Sequence, residues 1–414
     1  AYTLSGDLGD INSFALARRG TPLWKTAWYN FAPRLGAAWR IRQDAAWGTV
    51  LRTGGGVYFD TDNEVGIDGF SAFGFTALGL AFGAPLPAAP ALVNIAPSTD
   101  PPYTSAAIYA FPHHLQPPYA LEWNASVEQA LGAGQTMTAS YVGSAGRRLV
   151  QRQERFLQSL NPTFGTIYYV TGGVTSNYQA LQLKFEKLAG HGLHTLASYT
   201  WSHSIDFGSN DAALPLARGN SDFDVRHNLA AGISWDLPGY GGGRPLSILL
   251  NRWGLDARVM SRTGFPVTLY GKQETDPASG GQFFGGLDRI AGQRVYLDGA
   301  QYPGRRIINS AAFRLPASGS VGDAPRNFVR GFAAAQLNGA VRREFRLHEP
   351  LTLQFRAEAF NILNHPNFGY VDATYTDATF GQATQMLNQS LGTVNALYQQ
   401  GGPRSMQFAL RFKF

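Results

Sequence analysis

The C-terminal stretch RSMQFALRFKF, Arg404 to Phe414, alternates strictly between two kinds of side chain. The apolar set consists of Met406, Phe408, Leu410, Phe412 and Phe414. The residues between them are Gln407, Ala409, Arg411 and Lys413. A period of two is that of a β-strand, in which successive side chains point to opposite faces. The stretch therefore predicts a strand with one apolar and one polar face.

The same alternation recurs along most of the chain. It predicts about 11 strands of roughly ten residues each, close to the length that a tilted strand needs to cross a bilayer. The predicted strands lie near residues 33–42, 48–59, 120–131, 135–145, 178–187, 192–204, 226–237, 252–263, 336–348, 351–362 and 404–414.

The connections between these strands alternate in length. The short ones lie near 43–47, 132–134, 188–191, 238–251 and 349–350, and the long ones near 60–119, 146–177, 205–225, 264–335 and 363–403. Short periplasmic turns and long extracellular loops are typical of outer-membrane barrels, whereas a soluble sandwich or propeller has no reason to sort its connections. We therefore predict an all-β fold, an antiparallel transmembrane β-barrel of the outer-membrane type, over residues 1–414.

Composition agrees with a barrel and excludes other classes. The 414 residues include 48 Gly and 23 Pro, which argues against long helices. Only 15% of residues are charged, against roughly 25% in soluble proteins. The absence of cysteine excludes disulfides, thiol nucleophiles and Cys-ligated metals. The net charge of +6 is scattered, so we expect no nucleic-acid partner, and the sequence is expected to start downstream of any signal peptide.

One hairpin permits a prediction of register. A three-residue loop at 349–351 would place complementary or polar side chains opposite each other on one face. The predicted pairs are Arg342 with Glu358, Glu344 with Arg356, and Arg346 with Gln354. On the apolar face the same register pairs Phe345 with Phe355. Arg343 falls on the apolar face as well, so it is expected to lie near the membrane edge or to snorkel.

Several tracts carry a family resemblance. Residues 30–36 read NFAPRLG, 178–186 read YQALQLKFE, 196–202 read LASYTWS, and 222–227 read DFDVRH. Residues 355–361 read FRAEAFN and 364–369 read NHPNFG, and this last region is the most specific. In this order the tracts cover nearly the whole chain. They resemble the barrel of Oar-like TonB-dependent transporters.

The resemblance implies partners and a larger architecture. It implies outer-membrane lipid, the TonB energy-transducing complex acting through an N-terminal region, and an assembly machinery that recognises Phe408, Leu410, Phe412 and Phe414. The plug and N-terminal domains of such transporters are not visible in the sequence. The number of strands predicted in this chain is odd, and a closed antiparallel bacterial barrel has an even number. Further strands must therefore complete the barrel. A barrel of about 22 strands, with this chain as its C-terminal half, meets that condition.

The predicted function is TonB-dependent transport of an unidentified substrate through external loops and lumen, without catalysis. A structural or adhesive barrel that only presents loops is the alternative. A secreted all-β glycan-active enzyme is a third class, and it would need strand faces that are exposed to water.

Candidate functional residues fall into three groups, and none of them predicts a cofactor. The polar residues expected to face the lumen are Lys184, Glu186, Arg342, Glu344, Arg346, Gln354, Arg356 and Glu358. Candidate ligand contacts in the loops are Tyr103, Tyr109, Phe111, His113 and His114, with loop self-packing as the competing interpretation. A metal at the two histidines is disfavoured because adjacent side chains of an extended chain diverge. Asp60, Asp62 and Asp68 form a weak Ca²⁺ candidate, and an ordinary polar rim is the alternative.

Overall fold

A computed structural model describes residues 2–6, 10–60, 73–75, 87, 99–104, 106–156, 161–189, 192–208, 217–239, 241–275, 282–318, 320–390 and 401–414. Its main element is a sheet in which eleven long strands follow one another in chain order, each antiparallel to the next. They are β1 (Arg34–Arg42), β2 (Thr49–Phe59), β3 (Tyr119–Ala130), β4 (Gln135–Phe156), β5 (Thr166–Ala189), β6 (Leu193–Asp206), β7 (His227–Asp236), β8 (Trp253–Arg262), β9 (Ala334–His348), β10 (Leu351–Phe360) and β11 (Ser405–Lys413).

All eleven predicted strands are confirmed, and most of their bounds agree within two residues. The exceptions are β4 and β5, which continue as a ladder well beyond the predicted span. The connection predicted at 146–177 is therefore mostly strand. Register shifts between Gly146 and Val150 interrupt the two-residue period there, so alternation could not reveal the extension.

The two faces of the sheet differ as the sequence predicts. Register aligns Trp39, Leu51 and Val127 on one face, and that face carries exposed apolar side chains from β1 to β11. The opposite face is polar, and on it the Arg52 guanidinium contacts Glu128 at 2.7 Å. Such a sheet is stable only where each face meets a different medium.

The hairpin of β9 and β10 corrects the predicted register. His348 pairs with Leu351 around a two-residue turn, and the ladder shifts between Arg346 and His348. The observed polar pairs are Arg342 with Arg356, Glu344 with Gln354, and Arg346 with Thr352. Each predicted partner is thus wrong by two residues, although every side chain keeps its predicted face. Phe345 and Phe355 likewise stay on the apolar face but are not opposite each other.

The buried apolar side chains lie mainly beyond the long-loop edge of the sheet. One cluster, built from the connections after β8 and β10, contains Leu287, Phe313 and Val329, and the last of these is 1% exposed. Two further clusters join the segments before β1 and β3 to the extension of β4 and β5, around Ile108 and Val170. The loops therefore have cores of their own, which the strands position.

Short elements complete the described residues. Paired short strands are Leu4–Ser5 with Ala15–Leu16, Pro266–Val267 with Val329–Arg330, Gln273–Thr275 with Gln282–Phe284, Asp288–Arg289 with Phe313–Arg314, and Tyr296–Asp298 with Arg306–Ile308. Ile108–Ala110 pairs with β5 and Gly219–Asn220 with β6. The helices are α1 (Arg244–Leu250), α2 (Leu387–Ser390) and the 3₁₀ turns Ile11–Ser13, Pro303–Arg305 and Ser310–Ala312. None of the helices that the structure describes is both long and apolar enough to span a membrane.

Candidate functional site

A charged network lies on the polar face, towards the short-turn edge of β7 to β10. Arg342 Nη2 donates to Asp236 Oδ1 at 2.5 Å, and Arg342 Nε lies 3.5 Å from Asp256 Oδ1. Arg356 Nη1 contacts the other oxygen of Asp256, and its Nε donates to Glu358 Oε1 at 2.7 Å. Each of the two guanidinium groups is thus shared between two carboxylates.

The network explains how two arginines can be direct cross-strand neighbours. Arg342 faces Arg356, an arrangement of like charges that is unfavourable by itself. Asp256 lies between them and contacts both, while Ser234 Oγ donates to Asp256 at 2.7 Å. The result is a polar wall that is nearly balanced in charge, with the half-exposed Asp236 at its margin.

Asp236 and Asp256 were missing from the predicted set. Both lie at polar positions of correctly predicted strands, so the alternation itself carried the signal. The prediction considered partners only within one hairpin, whereas these acids reach Arg342 from β7 and β8. Long arginine side chains span neighbouring strands, which a pairwise register argument does not take into account.

The other predicted lumen residues lie on the same polar face. Glu344 accepts from Lys413 Nζ at 2.5 Å and from Gln354 Nε2 at 3.2 Å, so its partners differ from the predicted Arg356. Lys184 and Glu186 contact each other along β5 at 2.6 Å, and both are about half exposed. Exposed ion pairs of this kind contribute roughly 0.2–1 kcal/mol each to stability. Their main effect is therefore to make this face of the sheet polar.

A second polar cluster joins the barrel wall to the loops. The Asp224 carboxylate is completely buried and accepts from the Ser204 backbone N–H at 2.8 Å. Arg226 Nε lies 3.0 Å from it, His203 Nδ1 lies 3.2 Å away, and Arg330 also contacts it. Burial would raise the pKa of Asp224, but the hydrogen bonds from Ser204, Arg330 and His203 and the charge of Arg226 outweigh burial and hold the pKa below its ordinary value.

Arg326 provides a parallel tie between the same loops. Its buried guanidinium contacts Asp206 and lies 3.2 Å from Asp222 Oδ1. Asn327 Nδ2 donates to the same Asp222 oxygen at 2.6 Å and to the Asn220 carbonyl at 2.7 Å. The connection after β8 is therefore fixed to the connection after β6 by charged groups that sequence analysis did not connect.

The predicted loop contacts have different environments. Tyr109 and Phe111 are 7% and 6% exposed, so their burial contradicts a direct ligand contact and supports loop self-packing. Tyr103 packs on Phe73 and Phe164 with ring centroids 5.5 and 5.3 Å away.

His113 and His114 are both exposed, but they do not diverge as an extended chain would require. Their ring centroids lie 5.0 Å apart because the two residues form a turn. The geometric reason given against a metal is therefore wrong. The described part of the chain nevertheless contains no group of three or more His, Asp or Glu side chains that could hold an ion.

The predicted calcium candidate begins directly after β2. Asp60 follows β2, and its backbone N–H donates to the Pro118 carbonyl at 2.9 Å, whereas Asp62 and Asp68 lie outside the described residues.

At the C-terminus, exposed aromatic and aliphatic side chains follow one another on the apolar face of β11. They are Phe408, Leu410, Phe412 and, just beyond the strand, Phe414.

Comparison with known proteins finds a matching family model and several similar solved structures. The family model described as outer membrane beta barrel domain matches residues 3–407. The chain is similar to the outer membrane transporter YddB from Escherichia coli, with 10% identity, a TM-score of 0.46, and coverage of 87% of this chain and 38% of that one. It is also similar to a mutant of the ferric enterobactin receptor PfeA from Pseudomonas aeruginosa, with 11% identity, a TM-score of 0.46, and coverage of 92% and 40%.

A third similar structure is the FpvAI–pyocin S2 complex, with 9% identity, a TM-score of 0.44, and coverage of 92% of this chain and 31% of that one. The chain spans less than half of the length of each of these three structures. No curated protein matches its sequence significantly. The family model alone matches nearly the whole chain, from the segment before β1 into β11. The chain therefore belongs to the outer membrane beta barrel domain family and is an integral protein of the outer membrane.

Proposed function

We propose that the chain is the barrel portion of a TonB-dependent receptor that imports a substrate captured by its external loops. In this proposal the long-loop edge is extracellular and the short-turn edge periplasmic, as in other barrels of this membrane. Support comes from the resemblance of the tract 355–369, which forms a structured turn. Asn361 Nδ2 donates to the His365 carbonyl at 2.9 Å, and the buried Asn367 accepts from the Ala335 backbone N–H at 2.8 Å.

The observation that carries the proposal is the polar wall around Asp256. Two arginines and three carboxylates on the inner face need water or a polar partner opposite them, because an apolar filling would leave them without solvation. An eight-stranded barrel fills its lumen with its own side chains, whereas barrels of about 22 strands enclose a plug. Eleven strands run in one sheet, with the first and last in the same direction, so an odd number of further strands would complete the barrel.

The loops support capture of a substrate outside the membrane. The ion pairs of Asp224 with Arg330 and of Asp206 with Arg326 fix two long connections to each other above the lumen. A cavity of about 350 Å³ lies at this junction, lined by Arg218, Asn220, Arg326 and Phe328 among others. A fixed vestibule lowers the ordering entropy that ligand binding would otherwise cost.

Cysteine labelling tests the proposal, since the chain has no cysteine of its own. Ser198→Cys, on the polar face of β6, and Ala197→Cys, on its apolar face, would be introduced separately into the full-length protein. A water-soluble maleimide would be added to intact cells with and without TonB. We expect Ser198→Cys to be labelled faster when TonB is present, because plug movement opens the lumen, and Ala197→Cys to stay unlabelled. Equal labelling of Ser198→Cys in both strains would instead favour a structural barrel.

A further inference from the structure

Arg343 is a cation on the lipid-facing side of the sheet. It alternates with Val341 and Phe345, and it faces Trp253 on β8. Its guanidinium carbon lies 5.0 Å from the Trp253 ring centroid and 4.5 Å from the Phe345 centroid. A charge on this face is costly at the bilayer midplane and far less costly at the interface. We therefore expect Arg343 at the interface, where an anionic or polar group can approach it.

The depth of Arg343 follows from α1, which lies in the short-turn connection between β7 and β8. Arg343 Nη2 donates to the Ile248 carbonyl, and Trp253 Nε1 donates to the Leu249 carbonyl at 2.8 Å. The apolar side chains of α1 are exposed, with Ile248 at 65% and Leu249 at 60%. A short helix with exposed leucines beside a lipid-facing tryptophan fits the membrane–water boundary.

The guanidinium of Arg343 keeps hydrogen-bonding capacity for a further partner. Arginine carries five N–H donors. Nη2 already donates to the Ile248 carbonyl, and Nε is shielded without an acceptor within the described residues, so the N–H groups of Nη1 are the donors left for a further ligand. The exposed Arg252 comes immediately before β8, and its carbonyl accepts from the backbone N–H of Glu344, the residue after Arg343, at 3.2 Å. A phosphate diester suits this position because arginine binds phosphate oxygens through forked, charge-assisted hydrogen bonds.

An apolar groove lies on the same face, farther from the short-turn edge. Its volume is about 480 Å³. Ala257, Gly339 and Ala359 form one row across three strands and make its floor, while Leu255 and Phe408 border it. Gly339 and Arg343 are four residues apart on β9, which is about 13 Å along a strand. Half of a bilayer's hydrocarbon core is about 15 Å, so an acyl chain below a phosphate at Arg343 would reach the groove.

We propose that this face binds one phospholipid of the periplasmic leaflet, with its phosphate at Arg343 and an acyl chain in the groove at Gly339. The proposal uses the membrane orientation given under the proposed function but does not depend on transport. The groove continues the lipid-facing surface, and the cation supplies charge complementarity at headgroup depth. The distance between the Arg343 guanidinium and the groove thus matches the distance between the phosphate and the acyl chain of one lipid.

Native mass spectrometry of the delipidated full-length protein tests the proposal. The probes are palmitoyl-oleoyl phosphatidylglycerol and its dihexanoyl analogue, which has the headgroup but chains too short for the groove. We expect Arg343→Gln to weaken binding of both lipids about tenfold or more, because a charge-assisted phosphate contact is lost. Arg346→Gln makes the same charge change on the polar face of the same strand and should leave binding unchanged.

Ala357→Trp, which fills the groove, separates the two parts of the site. It should weaken the long-chain lipid while leaving the dihexanoyl lipid unaffected. Arg343→Lys keeps the charge without the fork and should bind with intermediate affinity, which provides a second variant if Arg343→Gln does not fold. Equal lipid binding by Arg343→Gln and Arg346→Gln, or an unchanged long-chain affinity in Ala357→Trp, would overturn the assignment.

Discussion

Asp224→Ala should loosen the loops while leaving the barrel folded. The carboxylate is fully buried and is contacted by Arg226, Arg330 and His203, so its removal leaves these donors without their shared acceptor. Breaking a buried ion pair costs about 3–5 kcal/mol. Arg226 and Arg330 are 34% and 25% exposed, so water compensates in part, and we take the lower figure of about 3 kcal/mol. At about 1.4 kcal/mol per factor of ten, local opening should become about 100-fold more frequent.

Hydrogen exchange in detergent micelles measures this opening. Peptides covering 217–226 and 325–331 should exchange about 100-fold faster, whereas those from β7 to β10 should keep their protection. Asp224→Asn, which keeps the shape but loses the charge, should have an intermediate effect. Asp44→Ala serves as control, since that carboxylate caps an exposed turn at the other edge by accepting from the Ala46 and Trp47 backbone N–H groups. Unchanged loop exchange in Asp224→Ala, or a uniform loss of protection across the barrel, would refute the reasoning.

Three further predictions concern pH, lipid exposure and assembly. The pKa of Asp224 is lowered in the folded state, so its stabilisation is complete above the ordinary value of about 3.9 and is lost as pH falls through the lower folded value. Loop exchange, divided by the intrinsic rate of an unstructured amide at the same pH, should therefore accelerate only in strong acid, and a rise of this ratio as pH falls from 7 to 5 would contradict the assignment. Val341→Arg, on the apolar face and two residues deeper in the membrane than Arg343, should reduce the heat-modifiable, folded fraction, whereas Arg346→Glu on the polar side of the same strand should leave it near the wild-type level. Phe414→Ala should slow membrane assembly of the full-length protein, seen as a smaller heat-modifiable band in pulse-labelled cells, and a band of normal intensity would count against the assembly role.

The strands were predictable because each of them has one apolar and one polar face, which suit two different media. Phe408, Leu410 and Phe412 on one side and Gln407 and Arg411 on the other leave no other regular structure that keeps both sets in place. The predicted face is also correct for the ladder of the β9–β10 hairpin up to the irregularity after Arg346. Face depends only on whether a residue is odd or even, and the two-residue error in register preserved it.

The partners of charged side chains were not predictable by the same argument. Register within one hairpin does not say that Asp256 of β8 will lie between Arg342 and Arg356, because the order of strands in the sheet decides it. Asp224 and Arg330 are 106 residues apart, and their contact depends on how two loops fold. Tyr109 and Phe111 have the composition of a ligand-binding loop, and only the packing shows them buried.

The loop contacts also imply an order of folding. Thr3 Oγ1 donates to the Tyr109 carbonyl across 106 residues, and Arg326 contacts Asp206 across 120. Closing loops of that length from a free chain is entropically expensive, and contacts so distant in sequence are typical of slow folding steps. Hairpins such as β9–β10 need only a local turn, and once the strands have paired in sequence they bring these distant residues close together. The long-loop side should therefore become ordered after the sheet, so that an ordered loop region indicates a correctly registered sheet beneath it.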